Sequence, residues 1–198
     1  VMNANPFTLG HLYLVEQAAA ENEWLHLFIV SEDASLFPFA VRERLIREGT
    51  AHLKNIVYHR TGPYIISQAT FPSYFQKDED TVILSHAQLD IAVFSRIAQA
   101  LSITRRYVGA EEASRVTRLY NETMLKELPR AGIACRIIPR KEHAGVPISA
   151  STVRRAIKCV DMDALPSLVP PATLAFLQSE ESAAIRQKIA ETTDVVHY

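Results

Sequence analysis

Cysteine is scarce in this chain of 198 residues: only Cys135 and Cys159 occur, far apart and with no second pair near either. That spacing supplies neither a four-ligand metal site nor a secreted-style disulfide framework, so both are expected as reduced thiols in a cytoplasmic protein. A nucleophilic role has little to recommend it. Cys135 sits in the apolar stretch from Ile133 to Ile138 and Cys159 on a predicted helix, where a small hydrophobe simply packs. A dominant charge is also missing, since 21 Lys and Arg against 22 Asp and Glu leave a net charge of −1. No whole-molecule field therefore favours nucleic acid or a membrane surface. The basic pairs Arg105-Arg106, Arg140-Lys141 and Arg154-Arg155 are dispersed at element edges and read as solvated faces, Arg154 excepted for the reason given below. No apolar run reaches transmembrane length, and there is no internal repeat or low-complexity linker. Histidines 26, 52, 59, 86, 143 and 197 show no His-x-x-x-His spacing and no neighbouring cysteine, so they read as structural or surface residues. His143 is a weak exception, because it precedes the second motif described below. Carboxylates form no cluster that would cage a metal ion.

What is present is a chain with 48% hydrophobic residues, enough to bury one sizeable core. Near its start stands Asn5-Pro6-Phe7-Thr8-Leu9-Gly10-His11, which opens straight into a helical pattern. Pro6 fixes one φ and biases Asn5 away from the helical region, so the chain turns before the helix begins. Thr8 is placed to cap that helix, and Gly10 admits another backbone or a phosphate where a Cβ would collide. Free N–H groups and the positive end of the helix dipole then face the loop, an arrangement suited to polyphosphate. His11 projects from the same turn, where a donor can stabilise charge developing during transfer. The competing reading is a capped helix with a satisfied histidine. A second segment, Ile148-Ser149-Ala150-Ser151-Thr152-Val153-Arg154, repeats the theme: Ser149 or Ser151 serves as N-cap, and Arg154 adds a fork of donors that fits phosphate oxygens. Two such anion sites suit one triphosphate.

Together the two segments resemble the nucleotidylyltransferase (HxGH) superfamily, with its (His/Thr)-x-Gly-His turn and its Ile-Ser-x-(Ser/Thr)-x-(Ile/Val)-Arg helix start. Further stretches narrow the resemblance: Met2 to His11, Leu25 to Phe28 running to Val30-Ser31-Glu32-Asp33, Tyr64 to Ser67, Ala69 to Phe75, and Leu168-Val169-Pro170-Pro171-Ala172-Thr173. These are similar to the catalytic region of the citrate lyase ligases, and the similarity runs to about Leu177. The resemblance implies an acid-thiol ligase acting in two steps. ATP and acetate would give acetyl-AMP and pyrophosphate, and the acetyl group would pass to the thiol of a CoA-like prosthetic group on the acyl carrier subunit of citrate lyase. It further implies that Thr8 and His11 contact the ATP phosphates, that Ser149, Ser151 and Arg154 hold the β and γ phosphates, and that backbone at Asn3, Ala4 and Asn5 lines the α phosphate. Mg²⁺ would arrive bound to ATP. An adenylyltransferase using phosphopantetheine or a mononucleotide shares these motifs and remains open, as does a non-catalytic nucleotide-binding module.

Strand and helix patterns alternate, which predicts an α/β fold: a Rossmann-like, doubly wound parallel sheet followed by C-terminal helices. Strands are expected near 1–3, 25–30, 56–59, 106–108 and 135–138, and helices near 10–20, 38–49, 86–101, 113–128, 151–160, 172–177 and 180–191. The catalytic domain is expected over 1–178 and a helical tail over 179–198. Because the chain opens on Val1 and enters the first motif at once, an upstream part is expected, which the resemblance implies to be an acetyltransferase-like domain. Gly109, in Val108-Gly109-Ala110-Glu111, is either an adenosine-contacting turn, as the superfamily implies, or a plain strand-to-helix turn. Phe71, Tyr74, Phe75 and Tyr64 either wall an acyl or pantetheine pocket or form core. Arg42 either approaches the phosphates or lies on the surface beside Glu43.

Overall fold

The computed structural model describes residues 1–198 apart from 77, 112–113 and 196–198. Helices and short strands alternate: α1 (Leu9–Ala20), β1 (Leu25–Ile29), α2 (Phe39–Gly49), β2 (Ile56–Arg60), α3 (Asp80–Ala100), β3 (Arg105–Gly109), α4 (Arg115–Glu127), β4 (Ala134–Ile138), the short β5 (Glu142–His143) and β6 (Val146–Pro147), then α5 (Ala150–Lys158), α6 (Pro171–Gln178) and α7 (Ala183–Glu191). β1 pairs with β2. β3 pairs with β4 in parallel, in register from Arg105 opposite Ala134 to Gly109 opposite Ile138. The chain is thus α/β with short parallel strands. Packing groups it into two interleaved units, one of Val1, His26–Glu32 and Tyr58–Pro139, the other of Met2–Leu25, Asp33–Val57 and Arg140 onward.

In the first unit α3 buries Ile83, Ala87, Ile91, Phe94 and Ala98, one stripe at helical spacing, and α4 adds Tyr120 and Met124. Each large apolar side chain so buried contributes about 1.5–3 kcal/mol. A polar network threads this core. Asp90 accepts from the Ile66 N–H at 2.6 Å and the Thr70 hydroxyl at 2.9 Å, and from the Tyr120 hydroxyl, which in turn accepts from Arg106 Nη2 at 3.0 Å. Burial above all pushes the Tyr120 phenol far above its usual range, with Arg106 opposing and Asp90 adding. Arg106 Nε and Nη1 meet no acceptor among the described residues; the guanidinium lies over the Phe94 ring, 4.1 Å from its centroid. Strands β1 and β2 bring His26 Nδ1 within 2.8 Å of His59 Nε2, a pair that sequence spacing hides. Desolvation and then the His26 charge lower the pKa of His59.

The second unit holds α1, α2 and α5–α7, with Phe7, Phe37, Leu45, Ile46, Val153, Leu165, Leu177 and Ile189 among its buried residues. Pro171 opens α6 at its first position, where the missing N–H costs nothing.

Five expectations need correction, one of them Arg106, read with Arg105 as a solvated face but buried. The strand near 1–3 is reduced to a single bridge at Met2. α3 begins at Asp80 rather than His86, because Ile83 extends its buried stripe and Asp80 suits the positive helix end. The helix expected over 180–191 is interrupted: Ser182 turns its hydroxyl to the carbonyls of Leu177 and Ser179, leaving a short 3-10 turn over Glu180–Ser182 before α7. Cys159 is exposed rather than packed, since α5 ends at Lys158 and its buried stripe is Val153, Arg154 and Ile157. The β5–β6 hairpin was not anticipated. Its turn places Ala144 at φ 50° and Gly145 at φ 75°, and alanine does not advertise a left-handed position. Of the aromatic stretch, Phe71 is core, beside Tyr120, whereas Tyr64 is exposed. The predicted start of α4 at Ala113 and the histidine at 197 lie outside the described residues.

Tyr120→Phe removes the hydroxyl that joins Asp90 to Arg106 and leaves a buried carboxylate oxygen one bond short. The expected loss is about 2–3 kcal/mol, read as a lower urea midpoint. An unchanged midpoint would mean the network carries no stability.

Candidate functional site

Both sequence motifs fall in the second unit. Thr8 is the N-cap of α1 and fully buried; its hydroxyl accepts from the His11 N–H at 3.2 Å. His11 reciprocates, its Nδ1 accepting from the Thr8 N–H at 3.1 Å and lying 2.9 Å from the Thr8 hydroxyl. This is a capping box with histidine in the place usually held by Glu or Gln. A backbone N–H can only donate, so Nδ1 is unprotonated and the ring proton sits on Nε2. Burial chiefly, then the charges of Arg140 and Arg154, push the His11 pKa down to about 4. His11 is therefore a neutral, oriented N–H donor at neutral pH. Phe7 stacks against the ring, centroids 5.9 Å apart.

Gly10 explains how the two motifs meet. A Cβ there would lie 2.5 Å from the Ile148 carbonyl oxygen, so the first turn of α1 packs directly against the residue preceding the second cap. The close approach that glycine permits is to backbone. Ser149, not Ser151, is the N-cap of α5: its hydroxyl accepts from the Thr152 N–H at 3.1 Å, and it lies 2.8 Å from the hydroxyls of both Ser151 and Thr152. Two helix N-termini thus converge with three clustered hydroxyls.

Arg154, 3% exposed, ties the arrangement together. Its Nη1 donates to the Asn5 carbonyl and its Nε to the Val195 carbonyl at 2.6 Å. The turn it grips is unusual. Ala4 has φ 52° and the Asn5–Pro6 peptide is cis. The Asn5 side chain accepts from the Phe37 N–H at 3.0 Å, while Asn3 reaches the Ser35 hydroxyl at 3.0 Å. Arg42, expected either at the phosphates or on the surface, is fully buried and holds this turn from behind, donating from Nη1 to the Asn3 carbonyl and from Nε to the Phe37 carbonyl, each at 2.9 Å.

Thr8, Gly10, His11, Ser149, Ser151, Arg154 and the turn Asn3-Ala4-Asn5 are accordingly brought together. Gly109 ends β3 in the first unit, where its carbonyl accepts from Asn121 Nδ2 at 3.0 Å. Sequence reading missed Arg140, taken for a solvated-edge residue, whose charge is felt at His11. No local signal marked it, because a hairpin does the work: the Ile148 N–H donates to the Lys141 carbonyl at 2.9 Å, which folds 140–141 back beside the Ile148 that contacts Gly10. Chemically, the site offers hydroxyls, oriented N–H donors and guanidinium charge, a set that fits an anion.

A family model for the citrate lyase ligase C-terminal domain matches residues 1–177. A [citrate [pro-3S]-lyase] ligase of Klebsiella pneumoniae is 47% identical over 182 residues, covering 89% of this chain and 53% of the relative. One of Escherichia coli (strain K12) is 44% identical over 199 aligned residues, covering 95% of this chain and 56% of the relative. The chain spans about half the length of these relatives. A phosphopantetheine adenylyltransferase of Shouchella clausii is 43% identical over 53 residues, 26% of this chain.

The lowered His11 pKa fixes a pH dependence. Folding favours the neutral ring, so its contribution is complete above the ordinary histidine value near 6.5 and is lost as pH falls from there toward 4. His11→Gln keeps an acceptor for the Thr8 N–H without titrating. The stability difference between parent and variant is expected to shrink or reverse between pH 6.5 and 4 in urea titrations; parallel curves would refute the assignment.

Proposed function

The chain belongs to the citrate lyase ligase C-terminal domain family, and from that premise we propose that it activates acetate with ATP and acetylates a carrier thiol. An acetate oxygen attacks the α phosphorus of ATP, the bond to the bridging oxygen of the β phosphate breaks, and pyrophosphate leaves. The thiolate of the CoA-like prosthetic group on the acyl carrier subunit of citrate lyase then attacks the acetyl carbonyl carbon, AMP departs as the leaving group, and the thiol proton goes to solvent. The observation that carries this reading is the meeting of two capped helix N-termini at Gly10 and Ile148 with buried Arg154 spanning from α5 to Asn5.

In this reading His11 Nε2–H and the Thr8 cap address the phosphates, and Ser149, Ser151 and Arg154 hold the β and γ groups. The backbone of Asn3, Ala4 and Asn5 lines the α phosphate, and Gly109 belongs to the adenosine turn. Such chemistry needs little covalent help from protein; position and charge stabilisation do the work. A neutral His11 donates without a proton having to be acquired first. Mg²⁺ would arrive bound to ATP. The doubly wound Rossmann-like arrangement, the catalytic region over 1–178 with a helical tail over 179–198, and a cytoplasmic location belong to the same proposal. The short likeness to a phosphopantetheine adenylyltransferase keeps a phosphate-bearing acceptor as the second reading.

The test is pyrophosphate exchange into ATP with acetate, with phosphopantetheine, and with neither. Acetate-dependent exchange is expected, and His11→Ala should lower it by about 10²–10³ while ATP still binds. Exchange only with phosphopantetheine would move the chain to the adenylyltransferases. ATP binding with no exchange in any tube would leave a nucleotide-binding module.

A further inference from the structure

Helix α7 ends at Glu191, and the chain leaves it through Thr192, whose backbone is extended with ψ at 126°. Lys158 Nζ donates to the Thr192 carbonyl at 2.6 Å and to the Thr193 carbonyl at 3.1 Å. Arg154 Nε donates to the Val195 carbonyl, and the Val195 side chain is itself buried. Arg154 and Lys158 are four residues apart on α5, so they share one helix face, and this segment lies along it. Nothing in the roles given above to Thr8, His11 and Ser149 uses these contacts.

We propose that residues 192–195 form a positioning strap for the phosphate site: Lys158 holds the Thr192 and Thr193 carbonyls, and the Val195 carbonyl fixes the guanidinium of Arg154 in the orientation that meets the triphosphate. The inference rests on the reading of Arg154 as a phosphate ligand. A free arginine samples many rotamers and loses that freedom on binding an anion, whereas one already held at Nε has given it up on folding. Carbonyl acceptors suit the task. They orient the donor fork but carry no net charge, so the positive charge of Arg154 persists for the ligand. Gripping the guanidinium at Nε, next to its aliphatic stem, fixes the plane of the group. Lys158 secures the near end of the strap and Val195, by its own burial, the far end. Neither residue touches substrate; both act through Arg154.

The experiment uses the full chain with Lys158→Met, Lys158→Arg and Val195→Gly. Calorimetric ATP binding is measured without acetate, then KM for ATP and for acetate in pyrophosphate exchange, with the melting temperature alongside. Lys158→Met and Val195→Gly should each weaken ATP binding roughly tenfold, the scale of one charge-assisted hydrogen bond, and raise KM for ATP with KM for acetate unchanged. Lys158→Arg should restore the parent values. Unchanged ATP affinity in both loosened variants would overturn the strap, and tighter binding would show the segment competing with phosphate instead. ATP and acetate constants rising together with a fall in melting temperature, unrescued by arginine, would mark a merely structural contact. A parent chain that binds ATP without acetate-dependent exchange would sink the ligase reading while leaving the strap measurable by calorimetry.

Discussion

A buried guanidinium on α5 reaching the Asn5 carbonyl is the interaction on which the rest of the site depends. Desolvating such a charge is expensive unless its donors are met, so Arg154 ties the position of α5 to the turn that precedes α1. Arg42 does the same from α2, at the Asn3 carbonyl. The carbonyls on either side of Ala4 are therefore both held by buried arginines, and Ala4 itself occupies a left-handed conformation that costs about 1–2 kcal/mol outside glycine. Such a backbone persists only where its surroundings over-determine it.

His11 shows how one contact serves both fold and chemistry. The Thr8 N–H needs an acceptor, and Nδ1 supplies it only while unprotonated. Burial and the nearby arginines oppose protonation of the ring, and so does the capping box. The stability of the helix start and the donor state of Nε2 are thereby coupled: whatever protonates the ring also unties the first turn of α1. The capped-helix reading and the functional reading of Thr-x-Gly-His are not alternatives here, because the cap is what orients the donor.

Much of this was legible because the signals were local. Cap residues at Thr8 and Ser149, the glycine between them and the alternation of strand and helix all act within a few residues, and most elements lie where they were expected. What stayed hidden depends on distant partners. Arg42 read as either a phosphate contact or a surface residue, and Arg140 as a solvated edge, because nothing near them in sequence says that one would be buried under Asn3 and the other brought toward His11. The fold-back that carries Arg140 depends on a turn through Ala144 and Gly145, where a left-handed alanine gives no warning. The His26–His59 pair is a product of strand pairing across 33 positions. Gly109 stood at a plausible turn, yet the structure shows it paired with Ile138 at the end of β3 and bonded to Asn121, and its adenosine role rests on resemblance.

The two polar networks of the protein differ in how they treat charge, and that difference bears on function. In the first unit Arg106 is linked to Asp90 through the Tyr120 hydroxyl and lies over the Phe94 ring, so a carboxylate stands close to its charge within the core. In the second, Arg154 meets carbonyls at Asn5 and Val195, and its charge, together with that of Arg140, is still strong enough at His11 to disfavour a proton. Carbonyls fix direction without cancelling the field, whereas a carboxylate in their place would cancel it. Burial does most to lower the His11 pKa, and the charges of Arg140 and Arg154 that add to it are also charges that would draw a triphosphate.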